Sequence, residues 1–157
     1  MGKQTTAFTN SILALSKPCI DHANDLGRWI PQRENLLKMS KIQIGLLDGL
    51  NQKYFPDGIR TNDGDDALEK DPIFIRAGAQ LDQIHERLIA IRKSIADAQT
   101  SLGGAIKALR DENNKFEQFI KAKKSKWLKI KKSVPEAEHC IQETKDLIKK
   151  CETLFYA

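Results

Sequence analysis

The chain has 157 residues, 40% of them apolar and 30% charged, with 6% aromatics and a net charge of +5. That length suits a single domain, expected over 1–157, with a core of its own. Three cysteines argue against a disulfide-built scaffold, and no apolar run nears the roughly 20 residues of a membrane span.

The first helical pattern runs over 5–16, where Phe8, Ile12, Leu15 and Cys19 share a face. Pro18 is expected to break or bend it. A second segment over 19–30 carries Cys19, His22, Leu26 and Ile30, punctuated by Gly27 and Pro31, where Pro31 either starts a third helix or only kinks a continuous one. A third, over 32–54, places Leu36, Leu37, Ile44, Leu47, Leu50 and Tyr54 at helical spacing. Residues 55–71 read as an acidic loop with turn clusters at Pro56-Asp57-Gly58 and Asn62-Asp63-Gly64. Its six acids outweigh Arg60 and Lys70 for a net −4.

Asp71 followed by Pro72 is a helix start: a capping carboxylate, then a proline whose missing N–H is harmless in the first turn. One long helix is expected from there to about 132. Its stripe is Leu81, Ile84, Leu88, Ile91, Ile95, Ala98, Leu102, Ala105 and Leu109, then Phe116 and Phe119, with Glu112 as a polar interruption. The apolar phase passes through Gly103-Gly104 without a slip, which argues for a continuous helix rather than a hairpin there. Ser133-Val134-Pro135-Glu136 reads as a capping box for a last helix over 135–155. The apolar face of that helix includes Ala137, Cys140, Ile141, Thr144, Leu147, Ile148, Cys151, Leu154 and Phe155. Extra apolar positions beside the main stripe, Ile89, Ala96, Ile106 and Ile120, exceed what a two-stranded coiled coil needs. The fold class is therefore all-α: an elongated antiparallel helical bundle, coiled-coil-like, with one long helix near 72–132.

Two surfaces stand out as partner sites. Phe116, Phe119, Ile120 and Trp127 are expected to protrude where the long helix outreaches its neighbours, and exposed apolar groups of this kind mark contacts. Beside them Lys121, Lys123, Lys124, Lys126, Lys129, Lys131 and Lys132 form a basic surface with no acid among them. Such a segment reads as a solvated helix end, its lysines complementing the C-terminal dipole and Trp127 packing into the bundle, or as a site for an acidic protein partner or an anionic membrane, with Trp127 at the interface. It fits nucleic acid poorly, since arginines for base readout are scarce.

Motifs for chemistry are weak. Met1-Gly2-Lys3-Gln4-Thr5-Thr6 fits the loose N-myristoylation pattern, which is short and common by chance. Aligning Gly64 with the sixth position of a calcium loop puts Ile59 first and Lys70 twelfth, where oxygen ligands are required. Cys19, His22, His139, Cys140 and Cys151 are zinc-type ligands, but the cysteines lie on apolar helix faces, as small buried thiols do. His85-Glu86 lacks the second histidine of a zincin motif, because Ile89 stands there. No Gly-x-Ser-x-Gly, Walker loop or dinucleotide turn occurs. The sequence thus points to a non-enzymatic protein–protein interaction or assembly module, without catalytic residues, metal or cofactor, that binds a protein partner or itself. Peripheral binding to anionic membrane through 121–132 is the alternative. The expected location is the cytoplasm, because Ile12–Leu15 is too short for a cleavable signal, and non-classical export stays open.

Overall fold

The structure, a computed structural model, describes residues 2–124 and 133–157. It is an all-α helical bundle. Among the described residues there are four helices and no strand: α1 (Gly2–Tyr54), α2 (Asn62–Lys70), α3 (Pro72–Lys124) and α4 (Ser133–Phe155). The chain divides into two compact units, one formed by Met1–Arg28 with Ile95–Ala157 and the other by Trp29–Ser94.

The first unit is a three-helix bundle. Ion pairs Lys124–Glu138, Lys145–Glu117 and Arg110–Glu152, together with the bond from Gln99 Nε2 to the Phe155 carbonyl, run α3 and α4 antiparallel. Cys151 of α4 meets Cys19 of α1, and Phe8 of α1 stacks on Phe116 of α3 with ring centroids 5.0 Å apart. The core takes Ile12, Cys19, Ala23 and Leu26 from α1, and Leu102, Ile106, Leu109, Phe116 and Ile120 from α3. From α4 it takes Ala137, Ile141, Ile148 and Cys151. Each fully buried leucine or phenylalanine contributes about 1.5–3 kcal/mol of transfer free energy. This packing, more than helix propensity, holds the segments helical.

That packing explains why α1 continues through Pro18 and Pro31, where the sequence suggested a break or a bend. A proline inside a helix costs about 3 kcal/mol, since it leaves the carbonyl four residues back without its donor. Those carbonyls belong to Ala14 and Gly27, both exposed, so water can serve them. On the opposite side Ile12, Cys19, Ala23 and Leu26 stay buried across Pro18.

The seam of α3 also departs from the expected heptad. Its polar member is Asn113, 1% exposed, and not Glu112, which is only half-buried. The buried positions Ile84, Leu88, Ile91, Ile95, Ala98, Leu102, Ile106, Leu109, Asn113, Phe116 and Ile120 advance 36 residues in ten steps. A 3.5-residue repeat drifts about 20° per heptad against a straight helix, so a strict heptad reading slips by one position within three or four heptads. Asn113 Nδ2 donates to the Ile141 carbonyl at 3.2 Å, which ties α3 to α4 at that level. The helix runs unbroken through Gly103-Gly104.

The second unit is a helical hairpin, the end of α1 against the start of α3, closed at one end by α2. Here the expected loop 55–71 holds a helix. Thr61 caps it, its hydroxyl accepting from Gly64 N–H at 3.0 Å, and Asp63 and Asp65 sit in the positive first turn. Gly64 serves close packing rather than a turn: a Cβ there would stand 2.6 Å from the Phe55 ring. Leu50, Phe55 and Leu68 form a small core flanked by Tyr54 and Phe74. Asp71 starts α3 as the sequence suggested, accepting from Ile73 N–H at 2.9 Å and from Tyr54 Oη–H at 2.5 Å.

Candidate interaction surfaces

The residues expected to protrude near the end of α3 do not do so together. Phe116 is 0% and Ile120 2% exposed, so both are core residues and not partner contacts. For Phe116 the cause is α1, which is helical from Gly2 and brings the Phe8 ring against it. Phe8 stands 5.0 Å from Phe116 and 5.3 Å from Phe119. Phe119 is half-buried and lines an open groove with Gln4, Ala7, Phe8, Ser11 and Glu112. Trp127 lies outside the described residues.

Of the basic surface, Lys121, Lys123 and Lys124 are described. Lys126, Lys129, Lys131 and Lys132 lie outside the described residues. Lys121 pairs with Glu117 at 3.2 Å and Lys124 with Glu138 at 2.9 Å. Lys123 Nζ lies 6.0 Å from the centre of the Phe119 ring. Glu117 also receives Lys145 at 2.8 Å. The Lys145 hydrogen bond, helped by Lys121, holds the Glu117 carboxyl below its usual value despite partial burial. Part of the local positive charge is therefore matched by acids of the bundle itself.

Cys19 and Cys151 do come together, with Cys151 Sγ 3.8 Å from the Cys19 carbonyl oxygen. Burial, with Cys151 nearby, pushes the Cys19 thiol up to about 11, and burial raises Cys151 as well. Such thiols stay protonated and behave as small apolar groups. Among the described residues no three His, Cys, Asp or Glu side chains gather as a metal site. No described helix is long and apolar enough to cross a membrane.

Most of the exposed large apolar side chains among the described residues lie in the second unit, where the sequence pattern did not point. Eight of the eleven large apolar side chains exposed among the described residues belong to Trp29–Ser94. Four lie on α1: Leu37, Ile42, Ile44 and Leu46, between 38% and 63% exposed. They flank the seam that α1 buries with Leu36 and Leu50. Met39, Ile42 and Leu46 follow one side at steps of three and four, and Leu37 and Ile44 the other at seven. The signal was present as an apolar run, Ile42, Ile44, Leu46 and Leu47, too dense for one amphipathic stripe. A helix apolar on all sides is normally buried on all sides, yet here α1 is covered along its seam alone.

No family model, no curated protein and no solved structure matches the chain.

Proposed function

We propose that the chain is a non-enzymatic protein–protein interaction or assembly module that works through helix faces of its hairpin unit. The observation that supports this reading is the set of exposed apolar residues of α1, Leu37 with Ile44 on one flank of the seam and Ile42 with Leu46 on the other. Single exposed apolar residues are ordinary, but apolar pairs on both flanks of a buried seam mark contact surfaces. A short helical unit gains stability by covering such faces, because helices are held mainly by tertiary packing and a small unit buries little surface by itself.

The test is a variant carrying Leu37→Ser, Ile42→Ser, Ile44→Ser and Leu46→Ser. It is expected to keep its helical circular dichroism while losing association, either with itself by light scattering or with a partner captured from cell extract. Unchanged association in both measurements would end the proposal.

A further inference from the structure

Resting on that reading, we propose that the partner is a second copy of this chain, which lays its own α1 antiparallel across the face of Leu37, Lys41, Ile44 and Asp48. These four residues follow one stripe of α1 at steps of four, three and four. All are exposed. The stripe alternates apolar and charged groups, and its two charges are opposite in sign.

The order of those charges selects the partner and its direction. Turning a second α1 end for end about a two-fold axis near Ile44 places Lys41 against Asp48 of the second copy. The same rotation places Asp48 against Lys41 of the second copy, and the two Ile44 side chains meet near the axis. A parallel pairing would set lysine on lysine and aspartate on aspartate. A closed two-fold contact uses one patch twice, so the patch must be complementary to itself, and this stripe is. Neither Lys41 nor Asp48 has an ionic partner among the described residues. The hairpin unit as a whole carries ten basic and ten acidic side chains, so two copies meet without net repulsion.

The proposal is tested by sedimentation and light scattering over a concentration series. The parent chain is expected to be a dimer. Ile44→Asp sets two carboxylates at the axis and is expected to weaken it on the order of a hundredfold or more, with helicity unchanged. Lys41→Glu and Asp48→Lys each replace two attractions by two repulsions and are expected to weaken it about tenfold. The double variant Lys41→Glu/Asp48→Lys is expected to restore the dimer, which no general loss of packing would do. A dimer that the double variant fails to restore, or one broken by Ile42→Asp and indifferent to Ile44→Asp, overturns the proposed face. A parent chain that stays monomeric throughout overturns self-pairing. If that monomer captures a partner from extract and Ile44→Asp abolishes the capture, the interaction-module reading survives. If neither occurs, both fall.

Discussion

Gly103 lies under the ring of Phe155: a Cβ at this glycine would stand 3.2 Å from Phe155 Cε2. Its neighbour Gly104 faces open space, with nothing within 4 Å. The two glycines in the middle of α3 therefore answer to different demands. Gly103 admits the end of α4, whose last carbonyl at Phe155 also accepts from Gln99 at 3.1 Å. Gly104 has no packing reason to be glycine.

Gly104→Ala is expected to stabilise the chain by about 1 kcal/mol, the helix-propensity difference between the two residues. Gly103→Ala gains the same propensity but must shift the Phe155 ring by a few tenths of an ångström, so its net effect is expected to be smaller or destabilising. Urea unfolding followed by circular dichroism measures the difference, and equal gains for both would contradict the contact.

Phe116→Ala is expected to destabilise the first unit by about 3–5 kcal/mol, the usual loss for a fully buried phenylalanine. Phe8→Ala removes the ring that stacks on it and is expected to lose less, because Phe8 is half-buried. The two losses are expected to add to less than their sum, since they delete opposite halves of one contact. A Phe116→Ala variant that unfolds like the parent chain in urea would show that this position is on the surface after all.

The acid limb of the stability curve is expected to carry the signature of Asp71. The hydrogen bond from Tyr54, then that from the Ile73 N–H, holds its carboxyl below the ordinary 3.8. The folded chain thus binds fewer protons there than the unfolded one. The contribution is complete above pH about 4 and is lost as pH falls through the lowered value. Asp71→Asn keeps a good helix cap but carries no charge, and is expected to flatten this limb between pH 4 and 2. Tyr54 runs the other way. The same bond raises its hydroxyl above 10, so its share persists below pH 10 and is lost as pH rises through the raised value. Unfolding midpoints across pH 2–11 for the parent, Asp71→Asn and Tyr54→Phe chains check both signs.

Thiol titration distinguishes the cysteines. Cys19 and Cys151 are buried and raised by that burial, whereas Cys140 is half-buried, its thiol raised by burial with the Thr144 hydrogen bond opposing the shift. An aromatic disulfide reagent at pH 8 is expected to modify Cys140 first in the folded chain, and all three only in urea. Rapid reaction of three thiols without denaturant would mean that the α1–α4 contact opens readily.

Much of the helical plan was legible because it rests on local signals. The periodicity around Ile84–Leu109, the Asp71-Pro72 start and the face of α4 from Ala137 to Cys151 each depend on spacing within one element. What was not legible depends on neighbours. Pro18 and Pro31 are tolerated because the carbonyls they orphan face water, and no local rule reveals which side of a helix that is. Gly64 resembled a turn residue, yet it makes room for Phe55. Asn113 replaced Glu112 in the seam because small angular drift accumulates over several heptads. Phe116 looked exposed until Phe8 of α1 proved to stack on it, and Ile42 and Leu46 are among the apolar residues left uncovered instead.

Leu102 and Ile120, at 0% and 2% exposed, are 18 residues apart, which is five whole turns of an α-helix. The interior line of α3 is therefore a ruler marked in turns. Excising about 18 residues would return every side chain beyond the cut to its original bearing, and about 11 would rotate it by only some 20°. A cut of two residues ahead of Phe116 would swing it out to water and bring Gln118 into its place.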